Sequence, residues 1–413
     1  MKEKETLMII GAGVNQLPLI QTAKAAGYRL IVVGPAGDYP GFEYADEVFH
    51  EDIFHKDAIV DYARQRGIDG VISDQSDMIA PTVAYVAEKL GLPGFGYHNA
   101  LCFTNKELMR ETYVKAGIPV APNRRALTAE EALAAAEAIG YPVIIKPQDS
   151  FSSRGVIRVN SAEEMRAKFD FAMSASRSGQ VLVEKFLKGP QYFSQGFVNE
   201  YELTLFAFSD RYYFDIPDLF LPYTNAFPAK ISEERKRQMA EQFGKVIALL
   251  RPRFGHVWAE WIVDEESGEL YMVEMAIRGA GALVTTDVIP RAYGVDTQPC
   301  LIEAALGHKV EFPADQLQNR AAAFFCFLVP PGRVIQAEGV EELPKIKGVV
   351  KMDMRPIHVG DVMGPYKDKS SRFGPIVVEG ETRDELDRIR EEMMRTVKIR
   401  VMTPEGEKEC IWE

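Results

Sequence analysis

The chain has 413 residues, 46% hydrophobic and 26% charged, and its 60 acidic against 48 basic side chains give a net charge of −12. That length supports two or three domains. The acidic excess argues against a nucleic-acid or anionic-membrane partner, but it does not exclude a nucleotide held by local cations.

The start, Met1-Lys-Glu-Lys-Glu-Thr, carries acids and leads into a strand, unlike a signal peptide. Leu7–Ile10, Leu30–Val33 and Gly70–Ser73 read as buried parallel strands, with Gln16–Ala26 and Lys56–Gln65 as crossover helices. Residues 1 to about 120 are therefore expected to form a doubly wound parallel sheet. After the first strand comes Gly11-Ala-Gly13-Val-Asn-Gln16. A dinucleotide fingerprint needs a third glycine and an acid at the end of the second strand. This chain has Gln16 and Val33-Gly34-Pro35 instead, which argues against NAD. A tight glycine turn, or a small anion at the helix N-terminus, fits better.

Thr104-Asn-Lys106-Glu107 reads as a capping box opening a helix that closes at Gly117, and Ala121-Pro122 as a domain joint. A second capping box, Thr128-Ala-Glu-Glu131, starts a helix ending at Gly140-Tyr-Pro142. Val143–Lys146, Val156–Val159 and Val181–Glu184 read as strands. Tyr192–Phe214 is strand-rich with a turn near Asn199-Glu200, and Ser232–Leu250 is helical. Beyond about 310, Ala321–Val329, Gly348–Met354 and Pro375–Glu379 are strand-like, and Thr382-Arg-Asp-Glu385 caps a helix to about Arg395. The run Ala321–Val329 is too short to span a bilayer. The four cysteines, Cys102, Cys300, Cys326 and Cys410, form no CxxC pair and read as reduced thiols of a cytoplasmic protein.

Three segments carry chemistry. In Lys146-Pro-Gln-Asp-Ser150-Phe-Ser152-Ser153-Arg-Gly155, a lysine ends an apolar strand and a loop rich in hydroxyls and backbone N–H groups follows. That suits phosphate oxygens, although a strand-end lysine before a plain turn reads the same way. In Val181-Leu-Val-Glu184-Lys185-Phe-Leu187-Lys-Gly-Pro-Gln191, a strand runs into a polar linker that can offer backbone groups to a purine edge, or can be a solvated turn. The third segment, His256 to Arg278, reads as a hairpin whose acidic turn centres on Glu265–Gly268, placing Glu260 opposite Glu274. Opposed like charges destabilise a strand pair unless a divalent cation sits between them; the bland alternative is two solvated acids. Period 2 puts Ala276 and Arg278 on the face of Glu274.

In chain order, Lys106, Lys146 with its Ser-rich loop, Glu184-Lys185, Gln191, Glu260 and Glu274-x-Ala-x-Arg278 resemble the ATP-grasp superfamily over nearly the whole chain. The tail resembles the C-terminal domain of its biotin-carboxylase-like and L-amino-acid-ligase-like members. The resemblance implies mixed α/β and α+β architecture: a preATP-grasp domain at 1–120, an ATP-grasp core of two α+β subdomains at 121–310, and a small C-terminal α+β domain at 311–413. It further implies that Lys106 and Lys146 contact ATP phosphates while the loop with Ser152, Ser153 and Gly155 closes over them. Glu184, Lys185 and Leu187 would border the adenine, and Gln191 the ribose, where the family usually has glutamate. Glu260 and Glu274 would bind Mg²⁺, or Mn²⁺ in its place, and Arg278 would steady the reacting phosphoryl group. Ala276 departs from a common asparagine and removes one ligand. The expected activity is ligation of a small carboxylate to an amine through an acyl phosphate, by a cytoplasmic homodimer. A purine-pathway ribotide ligase or carboxylase and a non-catalytic ATP-binding regulator are the rival expectations. Arg291, Arg355 and Arg372 are candidates for recognising a substrate carboxylate, and Gly279-Ala-Gly281 for close backbone approach to the acceptor.

Overall fold

The computed structural model describes residues 4–149 and 154–413. Its first sheet comprises β1 (Thr6–Ile10), β2 (Arg29–Gly34), β3 (Glu47–His50) and β4 (Gly70–Ile72). They lie in the order β3-β2-β1-β4, all parallel. Such a sheet must be covered on both faces, and alternate side chains achieve this. Leu7 and Ile9 pack with Leu19 and Ile20 of α1 (Leu17–Ala25), whereas Met8 and Ile10 pack with α2 (Lys56–Arg66) and α3 (Ala80–Leu90). The turn after β1 contains Gly11 at φ +98, and the Gln16 side chain folds back to donate to the Asp74 carbonyl at 2.7 Å.

Two short helices, α4 (Tyr97–Thr104) and α5 (Lys106–Lys115), lead out of this unit. The expected Thr104 capping box is corrected here. Thr104 is still the last residue of α4, and its hydroxyl donates to the Ala100 carbonyl. Asn105 caps α5 instead, its Oδ1 accepting from the N–H groups of Glu107 and Leu108. An asparagine in extended conformation does this as well as threonine.

Next come β5 (Asn123–Ala126), α6 (Ala129–Ile139), β6 (Val143–Pro147), β7 (Ile157–Val159), α7 (Ala162–Ser174) and β8 (Val181–Lys185). The strands form an antiparallel sheet in the order β5-β8-β6-β7. One face, including Val143, Ile145 and Val183, packs under α6 and α7. By period 2 the opposite face carries Ile144, Lys146 and Glu184.

The remaining strands are β9 (Gln191–Asn199), β10 (Glu202–Tyr213), β11 (Pro222–Phe227), β12 (Phe254–Val263), β13 (Leu270–Ala276), β14 (Ala321–Leu328), β15 (Gly332–Glu338), β16 (Val349–Met352), β17 (Val362–Met363), β18 (Arg372–Gly380), β19 (Lys398–Thr403) and β20 (Gly406–Glu409). Between them run α8 (Glu233–Leu250), α9 (Ile289–Tyr293), α10 (Gln298–Ala305) and α11 (Arg383–Thr396). Eight strands form one sheet, β13-β12-β9-β10-β11-β14-β18-β16, and the order β17-β15-β19-β20 forms another. The residues past 310 thus share their main sheet with the segment before them, joined where Thr224 of β11 pairs with Phe325 of β14. All eight residues of β14 are buried, so this strand needs a partner on each side. Among the described residues no helix is long and apolar enough to cross a membrane.

Candidate active site

A cleft separates the polar face of the small antiparallel sheet from the β12–β13 end of the large one. Lys106 and Arg110 enter it from α5, Ile144 and Lys146 from β6, and Glu184 and Lys185 from β8. Glu260 of β12 and Glu274 of β13 face them, with Leu187, Gln191 and Phe220 along the rim. Lys106 and Arg110 are one helical turn apart, so α5 presents both cations to the same side.

The charges in the cleft are organised around Glu184. Its carboxylate accepts from Arg110 Nε and from Lys146 Nζ, each at 2.7 Å. Burial alone would raise its pKa, but Arg110 and Lys146 outweigh that and hold it at about 2. The Arg110 Nη2 group donates to the Val273 carbonyl at 2.8 Å, while its buried Nη1 has no hydrogen-bond partner among the described residues. Burial lowers the pKa of Lys106, opposed by the nearby Glu274 carboxylate. At the end of β8, the Lys185 and Phe186 N–H groups donate to the carbonyls of Pro122 and Pro142. The N–H of Leu187 has no backbone acceptor among the described residues.

Glu260 and Glu274 are direct cross-strand partners, as the hairpin pattern predicts. A bulge adds Val273 between this pair and the next, Trp261 with Met272. Met272 consequently packs in the core with Trp261 although it is only two residues from Glu274. Bulges beside sites re-aim side chains in this way. One oxygen of Glu260 lies 2.8 Å from Arg211 Nη2 in an ion pair, and burial of Arg211 is outweighed by that carboxylate, which raises the guanidinium pKa. Ala276, paired with Trp258, is buried and adds no ligand.

These two carboxylates fit a cation that is shared with a phosphate-bearing ligand. Among the described residues no group of three or more His, Cys, Asp or Glu could hold a metal by protein ligands alone. Magnesium usually takes one or two carboxylates and fills its octahedron with phosphate oxygens and water. The pair Glu260 and Glu274, beside Lys106 and Lys146, has that character.

Glu260 also borders a second cavity, lined by Arg278, Trp258, Ala280 and Gly281. Arg278 is held over the Trp258 ring at 4.8 Å by Asp77, which accepts from Nε at 2.8 Å and also from Nη2. Asp77 belongs to the loop after β4, so the first sheet fixes an arginine of the hairpin. The same loop supplies Asp74, whose buried carboxylate accepts from the Gly279 N–H and from Gln298 Nε2. His256 faces it at 3.2 Å and holds its pKa low against the effect of burial. A Cβ on Gly279 would lie 2.6 Å from Asp74 Oδ2, whereas at Gly281 it would meet nothing within 4 Å.

The structure thus brings Lys106, Lys146, Glu184, Lys185, Leu187, Gln191, Glu260 and Glu274 to one cleft, with Arg278 in the adjoining cavity. Gly155 does not line the cleft: its φ is +74, and a Cβ would approach Pro147 and Ala175 to 2.7 Å. Ser152 and Ser153 lie outside the described residues. Of the three arginine candidates, Arg291 is paired with Glu379 and Arg355 packs on Phe373, while Arg372 lines the second cavity. Sequence reasoning missed Arg110, Arg211 and Asp77. Only Arg110 left a readable signal, its four-residue spacing from Lys106.

Three family profiles match the chain. Residues 105–311 match "Carbamoyl-phosphate synthase L chain, ATP binding domain". Residues 20–94 match "ATP-grasp N-terminal domain" and residues 326–402 match "L-amino acid ligase C-terminal domain 2". The chain is 28% identical over 304 residues to the alanine–anticapsin ligase of Bacillus subtilis, a match covering 66% of this chain and 63% of that one. The L-amino acid ligase of Bacillus licheniformis superposes with a TM-score of 0.82 at 20% identity, over 97% of this chain and 99% of that one. The biotin carboxylase domain of the Hydrogenobacter thermophilus 2-oxoglutarate carboxylase, solved as a dimer with MgADP, ADP and bicarbonate, gives a TM-score of 0.71 at 18% identity, over 98% and 91%.

Proposed function

The chain belongs to the family of the carbamoyl-phosphate synthase L chain ATP-binding domain, within the ATP-grasp superfamily, and from that premise we propose that it is an ATP-dependent carboxylate–amine ligase. The observation that carries this reading is the convergence of Lys106, Lys146, Glu260 and Glu274 on one cleft whose neighbour holds Arg278. Cations and a paired carboxylate site suit a triphosphate, and an adjoining cavity gives the acid a place beside its terminal phosphorus.

In this mechanism Lys106 and Lys146 neutralise phosphate oxygens, with Glu184 and Arg110 fixing Lys146. Leu187 offers its N–H to the adenine edge, and Gln191 is positioned for the ribose. Glu260 and Glu274 would hold magnesium, or manganese, which supplies charge neutralisation at the β- and γ-phosphates. The substrate carboxylate attacks the γ-phosphorus; the bond to the β-phosphate breaks, and ADP and an acyl phosphate form. Arg278 faces the charge that develops on the transferred group. An amine then attacks the acyl carbon, phosphate leaves, and the amine proton passes to the leaving phosphate or to water. Such chemistry depends on positioning and electrostatics rather than on a protein nucleophile. We further place the protein in the cytoplasm, acting on small-molecule acids and amines as a homodimer.

The test is a matrix of acids and amines assayed for ADP and phosphate release, followed by mass spectrometry of the conjugate. Wild-type protein should release both products only with a divalent metal and a matched pair, and Glu274→Ala should abolish release. Metal-independent release, or release unchanged by Glu274→Ala, would overturn the assignment.

A further inference from the structure

The second cavity is strongly cationic in an acidic protein. Four of its lining residues are Arg211, Arg278, Lys369 and Arg372, and the one acid among them is Glu260. Two of the cations already have partners: Arg211 is paired with Glu260, and Arg278 with Asp77. Lys369 and Arg372 have no carboxylate within ion-pair distance among the described residues. Arg372 donates from Nη1 to the Pro222 carbonyl at 2.6 Å and from Nε to the Lys369 carbonyl at 3.2 Å, and its guanidinium lies 6.0 Å from the Phe324 ring centroid. Lys369 opens the short turn Lys369–Ser371 and Arg372 follows it as the first residue of β18, on the side of the cavity formed by the C-terminal strands.

Two side chains of like charge, partly withdrawn from water and lacking counter-ions, are costly to keep together. Burial pulls the Lys369 pKa down to about 8; the Glu260 carboxylate opposes that, and Arg211 and Arg372 add to it. Apolar walls from Phe193 and Phe324 lie nearby. Among the described residues the cavity offers no unpaired acid to receive a substrate ammonium, since Glu260 is paired with Arg211.

We propose that this cavity takes a substrate bearing a second anionic group, distinct from the carboxylate that is activated, and that Lys369 and Arg372 determine specificity by binding it. The proposal rests on the ligase reading, for it locates the acid beside the nucleotide cleft. The group is a carboxylate or a phosphate-like anion, carried by the acid or by the amine.

Equilibrium binding separates this from the ligase reading, because it needs no turnover. Trp258 lines the cavity and serves as a fluorescent reporter. At constant ionic strength, with the MgATP analogue AMPPNP present, succinate and 3-phosphonopropionate would be titrated against butyrate, and β-alanine against propylamine. In at least one set the anion-bearing member should bind roughly tenfold tighter or more, the scale of a charge-assisted hydrogen bond. Lys369→Ala and Arg372→Ala should each erase that preference, while AMPPNP binding, read separately, shows that the variants are folded. The conservative Arg372→Lys should restore part of it. The set that shows the preference tells whether acid or amine carries the group, and the two dianions tell carboxylate from phosphonate. Equal binding within every set, or a preference that survives both alanine variants, would overturn the proposal even if ligase turnover were found. Absence of turnover with a preserved preference would instead count against the ligase reading alone.

Discussion

Glu184 neutralises two cations of the cleft at once, and removing its charge leaves both uncompensated. Breaking a buried pair from one side costs about 3–5 kcal/mol, so Glu184→Gln should lose stability of that order in denaturant titration at pH 7 and bind ATP more weakly. The pKa of Glu184 lies at about 2 in the folded protein against an ordinary 4.5. Its contribution is therefore complete above about pH 4.5 and disappears as pH falls towards 2. Wild-type stability should decline across that window, and Glu184→Gln should show a shallower decline there; identical slopes would contradict the assigned charge state. Asp77 sets Arg278 by two hydrogen bonds without lining the nucleotide cleft. Asp77→Ala should lower kcat by about a hundredfold, the cost of a misplaced catalytic group, with little change in KM for ATP. Equal effects on both constants would point to general unfolding of the cleft.

At the level of elements, Asn105 begins α5, and α5 carries Lys106 and Arg110 into the cleft. Asn105→Ala should cost about 1 kcal/mol in thermal or chemical unfolding and raise KM for ATP, because the frayed residue is Lys106 itself. An unchanged KM would show that α5 is held by its packing rather than by its cap. The β12–β13 hairpin was legible in the sequence: alternation and an acidic Gly-containing turn placed Glu260 opposite Glu274. The bulge at Val273 was not, because strict period 2 cannot register one added residue. Its carbonyl is bonded by Arg110, a contact 163 residues apart in the chain. Arg211 was hidden for a related reason. It stands in a strand-rich segment where a charged residue reads as solvent-facing, and only the adjacency of β10, β9 and β12 puts it next to Glu260.

Across the whole molecule, local patterns carried further than long-range ones. The βαβ order gave the first sheet, and the series of lysines, glutamates and arginine gave the superfamily. The continuity of the large sheet into the C-terminal strands depends on the pairing of β11 with β14, which no local pattern encodes. The grip of Asp77 on Arg278 likewise joins residues 201 apart. Because the cleft lies between two sheets, MgAMPPNP should slow hydrogen exchange in β6 and β8 and in the β12–β13 hairpin together; protection confined to one side would argue against a ligand spanning the cleft. The central claim is that Glu260 and Glu274 share a metal with a triphosphate. A crystal structure of the protein with MgAMPPNP tests it most directly. The metal should be bonded to oxygens of both glutamates and of the β- and γ-phosphates, with Lys106 and Lys146 on the phosphate chain. Nucleotide bound elsewhere, or a metal that touches neither glutamate, would contradict it.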